Sequence, residues 1–176
     1  MSELDDFRAE KDDFFGHHPQ SPLTREQKRD FKGLAYFPEN PGLRLEVAVE
    51  QFQPKVTIKM QTSTGAVQTY QRYGRFKFNV DGQEAALTIY SGPPDQGGYF
   101  LPFADSQAGT ETYGAGRYLE PEALGGGKFR VDFNLAYNPY CAYNDKWSCP
   151  VPPAENRLSV AVRAGEKVFH AGGEEH

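Results

Sequence analysis

The sequence predicts a mainly β fold, α+β by content: an antiparallel β-barrel or sandwich of about eight or more strands, with short helices only at its N-terminal end. Three observations lead there. From Leu43 onward, apolar residues recur with a period of two, as on half-buried strands. Short turns rich in Gly, Pro, Asn and Asp separate these runs, which favours a meander over helix-linked parallel strands. Before Leu43, apolar residues recur at helical spacing instead. A chain of 176 residues is long enough for one proper core and too short for two. We therefore expect a single domain over residues 1–176, in which a helical segment, 1–33, packs on a β region, 43–168.

Ser2 followed by Asp5 has the form of an N-cap with an acidic third position. Leu4, Phe7, Phe14 and Phe15 then follow a helical stripe, with the Lys11 stem covering the gap, so a helix is expected from about Glu3 to Phe15, ending at Gly16. Its charges read as a solvated face. His17 and His18 precede Pro19. Adjacent histidines point in different directions, so they read as loop residues rather than ligands, and no metal site is expected. Thr24 and Gln27 make a capping box for a short helix through Phe31, closed by Gly33. FPENPG, at 37–42, is turn chemistry.

The strand runs follow in order. Leu45, Val47 and Val49 alternate with charged residues. After Pro54 come Val56, Ile58 and Met60, and the turn at 62–65 leads into a run from Val67 to Tyr73. Phe76, Phe78 and Val80 mark the next strand. Asp81-Gly82 is the strongest hairpin signal in the chain and leads to Leu87 and Ile89. A Gly-Pro-rich loop at 92–98 precedes Tyr99, Leu101 and Phe103. Gly114 and Gly116 lack the third glycine and the following helix of a dinucleotide fingerprint, so they read as bulge or close-approach positions. Nearby, Glu111, Tyr113, Arg117 and Tyr118 are candidates to share a cavity with later residues.

The densest chemistry lies between Lys128 and Val162. Phe129, Val131, Phe133 and Leu135 alternate with Arg130, Asp132, Asn134 and Ala136, which predicts a strand with one polar face, ending at Asn138-Pro139. Tyr137, Tyr140, Tyr143 and Trp147 crowd the loop that follows, and alternation resumes at Leu158, Val160 and Val162. Aromatic side chains at this density bury surface against something. The loop either plugs one end of the β structure or lids a pocket whose floor is the polar strand face.

The net charge of −5 and a pI near 5.4 argue against a nucleic-acid surface. There is no apolar run of membrane-spanning length, and the N-terminus is acidic where a signal peptide is basic, so the chain reads as cytoplasmic with no membrane partner. Cys141 and Cys149 are too few for a disulfide framework and wrongly spaced for a zinc ribbon; they read as thiols unless the loop doubles back on itself. The local signatures of nucleotide, serine-hydrolase, metalloprotease, calcium and CxxC sites are absent, and no cofactor is expected.

DFNLAYNPYCAY (132–143) together with SCPVPPAENRL (148–158), preceded by ETYGAGRYL (111–119) and FPENP (37–41), resembles the prokaryotic domain of unknown function 1684 family. The resemblance runs in order over nearly the whole chain. It implies a hallmark of Asp132, Asn134, Tyr137, Asn138, Pro139, Cys141, Cys149, Pro150, Asn156 and Arg157, and no established reaction.

Two functions from different classes follow. In the first, the protein binds a small polar or anionic molecule: Arg117 and Arg157 donate to a carboxylate or phosphate, Asp132, Asn134, Asn138 and Asn156 orient its polar groups, and Tyr137, Tyr140 and Tyr143 wall it. In the second, it is an enzyme using Cys141 as nucleophile with His17 or His18 as base, or Asp132 and Glu155 as acid and base. A purely structural or interaction role, with no small-molecule site, is the third reading.

Overall fold

A computed structural model describes residues 3–92, 98–143 and 149–169. Two helices lead: α1 (Glu3–His17) and α2 (Arg25–Asp30). The predicted capping box is present, with Thr24 Oγ1 accepting from the Gln27 N–H while the Gln27 side chain accepts from the Thr24 N–H. Helix α1 runs through the expected stop at Gly16 to His17, and the His18 N–H still reaches the Phe14 carbonyl at 2.9 Å. Pro19, rather than Gly16, prevents continuation.

Nine strands follow among the described residues: β1 (Arg44–Ala48), β2 (Glu50–Gln51), β3 (Thr57–Gln61), β4 (Val67–Val80), β5 (Gln83–Ser91), β6 (Tyr99–Phe103), β7 (Arg117–Leu119), β8 (Glu122–Gly125) and β9 (Lys128–Asp132). The mainly β class stands, and the named strands pair antiparallel. They form a three-stranded sheet, β1-β9-β8, and a six-stranded sheet, β2-β4-β5-β6-β7, with β3 also on β4. The two runs expected on either side of Gly74 are one long strand, interrupted by a register shift between Arg72 and Gly74. The Asp81-Gly82 hairpin forms as expected, with Val80 facing Gln83 and both turn residues at positive φ, 50° and 79°. That is the backbone a two-residue turn of this type requires.

The sheets share one core. Val47 of β1 and Phe129 and Val131 of β9 pack with Phe76 and Phe78 of β4, Leu87 and Ile89 of β5, and Leu101 and Phe103 of β6. Phe129 meets the Tyr73 and Tyr99 rings edge-on, at 5.7 and 4.8 Å between centroids. A separate cluster of Phe15, Leu23, Leu34 and Tyr143 seats the helices. No helix of the described residues is long and apolar enough to cross a membrane.

Two expected strands are corrected. The one beginning at Phe129 stops at Asp132, because the Asp132 side chain accepts from the Asn134 N–H at 3.0 Å and turns the chain into a 3-10 turn, Phe133–Leu135. The run Leu158–Val162 is not a strand, and the chain bends at Ser159 and Val160. It is bridged to Ala104 through Arg157, and its Val160 carbonyl still accepts from the Ser106 N–H at 2.9 Å, but at Val162 both backbone groups meet side chains: the N–H donates to Asp105 and the carbonyl accepts from Arg117, each at 2.8 Å. A guanidinium there occupies the acceptor that a neighbouring strand would use.

Candidate functional site

The Asp132 turn shapes the surface beside α1. Beyond Phe133 the period of two is broken, so Ala136 goes into the core and Leu135 comes out, 41% exposed. The turn is held from below by Gly165, at φ +81°, where a Cβ would sit 2.8 Å from both the Phe133 carbonyl oxygen and the Ala136 Cβ. Across from Leu135 lies α1. A 3.6-residue period puts Leu4, Arg8, Lys11 and Phe15 on one face, and that face meets the body, so Leu4, Lys11 and Phe15 of the expected stripe are turned inward and Phe7 is not. Lys11 pairs with the buried Glu166. Asp12 accepts from the Leu34 N–H at 3.0 Å and the Tyr36 hydroxyl at 3.2 Å, and the Arg8 guanidinium stacks over Tyr36 at 4.4 Å. Burial holds the Asp12 carboxyl above its usual range despite those hydrogen bonds. With this polar face docked, Phe7 is turned sideways and is 44% exposed.

Phe7, Leu135 and Asp132 line both of two adjoining hollows. One, of about 350 Å³, is completed by Leu119, Glu120, Pro121, Glu122, Arg130, Val131 and Tyr137. The other, of about 550 Å³, is completed by Glu3, Leu4, Glu39 and Arg44. Both volumes are in the range of small-molecule sites. Five carboxylates, Glu3, Glu39, Glu120, Glu122 and Asp132, stand against two arginines, Arg44 and Arg130. Both arginines are already paired, Arg44 with Glu39 and Asp132 and Arg130 with Glu122. Tyr137 donates to Glu120 at 2.6 Å, and burial first, then this carboxylate, push its phenol well above the usual range.

Of the residues singled out from the sequence, Asp132 and Tyr137 are brought to this groove. Others have structural partners. Arg117 is 1% exposed, donates to three backbone carbonyls and lies 3.6 Å from Asp105; burial pushes it down to about 10. Arg157 is exposed at the surface, so the two do not converge as an anion clamp. Asn134 exchanges hydrogen bonds with the Asn40 backbone in both directions. Asn156 is fully buried and ties β5 to β6, accepting from the Thr88 N–H and donating to the Thr88 and Pro102 carbonyls, each at 2.8 Å. Asn138 donates to the Lys167 carbonyl, and its Oδ1 is buried without a protein partner.

Tyr143 is buried, edge-on to Phe15 at 4.9 Å, and donates to Glu166 at 2.7 Å; Tyr140 lies 6.4 Å from the same ring. These tyrosines pack against α1, in a cluster apart from the core between the sheets, rather than wall a pocket. Trp147 lies outside the described residues. The enzyme constellations are not assembled. Asp132 is held by Arg44 and Asn134, whereas Glu155 is held by Arg72 and the Tyr90 hydroxyl; burial pushes Glu155 up, but these partners outweigh it and keep it below its usual range. Cys141 has Tyr113 and Cys149 as its polar neighbours, while His18 stacks on Phe14 and His17 faces Asp13. Among the described residues no group of three or more His, Cys, Asp or Glu could hold a metal ion.

Residues 29–167 match the family described as Protein of unknown function (DUF1684). The chain belongs to that family. A DUF1684 match over these residues includes all nine strands and leaves α1 outside it, although α1 supplies one wall of the groove. The chain is also similar to an uncharacterised protein from Haloarcula marismortui, solved by solution NMR: 38% identity over 94% of this chain and 92% of that one, with a TM-score of 0.71. No curated protein matches the chain.

Sequence reasoning missed Phe7, Leu135 and Glu120 as groove residues, and Glu166 as the anchor of α1. The period of each element places Phe7 and Leu135 inward. The usable signal for Phe7 was that Leu4, Arg8, Lys11 and Phe15 form the better helical face.

Proposed function

We propose that this DUF1684 protein binds a small amphipathic molecule in the groove between α1 and β9. Its apolar part lies over Phe7 and Leu135, and a positively charged or hydrogen-bond-donating group faces Glu120, Glu122 and Asp132. The observation that carries this reading is the pair of large apolar side chains left exposed inside a rim of carboxylates. A carboxylate offers about four acceptor sites, so Glu120 keeps acceptor capacity beyond its bond to Tyr137. The excess of carboxylates favours a cation over the anion expected from the sequence, and Arg117, one of the two donors that expectation needed, is committed to backbone carbonyls.

The test sets an alkylamine against the alkyl carboxylate of equal chain length, by calorimetric titration. Saturable binding of the amine, weakened about tenfold or more when Phe7 and Leu135 are both changed to Ser, supports the groove; the loss follows from removing apolar contact at about 25 cal/mol per Å². More than half of each side chain is covered, so the variant should melt somewhat below the parent, and binding is compared well below both transitions. Equal binding of the two amphiphiles, or no saturable binding of either, sinks the proposal.

A further inference from the structure

Away from the groove, the fold brings the two cysteines together. Cys141 sits in the 3-10 turn Tyr140–Ala142, and Cys149 begins the returning segment. The Cys141 N–H donates to Cys149 Sγ at 3.4 Å, and the Tyr113 hydroxyl lies 3.6 Å from Cys141 Sγ. Both are free thiols. Because the Cys141 Cα is about 1.5 Å from its own nitrogen, it lies within about 5 Å of the Cys149 sulfur, a spacing that a side-chain rotation can bridge.

We propose that Cys141 and Cys149 form a reversible disulfide by exchange with a low-molecular-weight disulfide. Cys141 loses its proton to solvent and attacks one sulfur of the small disulfide. That S–S bond breaks, one thiolate leaves and takes up a proton, and Cys141 is left in a mixed disulfide. Cys149 then loses its proton, attacks the Cys141 sulfur and expels the second thiolate. Two protein thiols are oxidised and the small disulfide is reduced to two thiols.

The order of attack follows from the environments. Cys141 is half-buried and open to the small disulfide, whereas Cys149 is buried, and that burial pushes its thiol up to about 11, so a far smaller fraction of it than of an ordinary thiol is thiolate at neutral pH. The bond joins two parts of the molecule. Cys149 is fastened to the β3-β4 hairpin: its carbonyl accepts from the Ser63 N–H at 2.9 Å and its N–H donates to Ser63 Oγ at 3.2 Å. The Cys141 turn carries Tyr140 against Phe15 of α1, and the next residue, Tyr143, accepts from Gln27 of α2 through its carbonyl. Oxidation therefore ties the seat of both helices to the six-stranded sheet.

Intact-mass measurement after incubation with excess oxidised glutathione tests this. The parent protein should lose two hydrogens and retain no adduct. Cys149→Ser should accumulate a glutathione adduct at Cys141, and Cys141→Ser should react about tenfold more slowly or less, as its remaining thiol is buried and protonated. Glutathione adducts on the parent without loss of hydrogen, an unmodified parent, or a Cys141→Ser variant that reacts as fast as Cys149→Ser would each overturn the proposal.

Discussion

The polar residues that attract attention in the sequence are mostly internal fasteners, and Asn156 shows why. An amide has two N–H donors and a carbonyl acceptor, and Asn156 uses all of them on the backbone of β5 and β6. Asn156→Ala leaves one N–H and two carbonyls buried without partners. Each such group costs about 1–3 kcal/mol, so a loss of about 3 kcal/mol or more is expected in urea unfolding, with amphiphile binding in the groove unchanged. The hallmark residues Asn134 and Asn138 belong with it, since both bond to backbone. A single sequence cannot separate such a fastener from a ligand-binding amide, because the two differ only in whether a backbone or a solute reaches the side chain.

At the scale of elements, legibility depended on whether local chemistry alone fixed the outcome. The α2 capping box and the Asp81-Gly82 hairpin each need only a few adjacent residues, and both were visible. The missing strand at Leu158–Val162 was not, because it is decided by Arg117, about 45 positions away; the end of β9 rests on a local bond from the Asn134 N–H to Asp132, and there the continued apolar alternation through Phe133 and Leu135 masked the turn. The orientation of α1 was likewise set by a distant partner. Glu166 is buried and holds Lys11, the Tyr143 hydroxyl and the Asn138 N–H. Glu166→Gln removes the charge opposite Lys11, and disrupting a buried pair of this kind costs about 2 kcal/mol or more. Amide exchange in α1 should then quicken by about thirtyfold, at about 1.4 kcal/mol per factor of ten, while the β4 and β5 amides keep their protection. If α1 exchange did not change, Glu166 would not be its anchor.

For the molecule as a whole, the buried phenols set an alkaline limit. Tyr36, Tyr90, Tyr118, Tyr137 and Tyr143 are all raised above the usual value, burial being the largest cause in each, and Cys149 is raised to about 11. Above about pH 9 the unfolded chain releases these protons first, so it binds fewer than the folded one and stability falls as pH rises. Arg117 acts in the opposite sense above about 10, as one group against six. Urea midpoints should be level from about pH 7 to about 9 and fall beyond it; a level profile to about pH 11 would show that the phenols ionise as freely folded as unfolded. The Lys11–Glu166 pair has another consequence, for the order in which the chain matures. Its members stand 155 positions apart, so α1 can meet Leu34 and Tyr36 early but gains its Glu166 anchor only after all the strands between them have emerged. Contacts of such separation form late, after loop closure by the intervening chain. During synthesis the sheets can collapse first, with α1 trailing as a polar, marginally stable helix, and the groove acquires its second wall only in the final step.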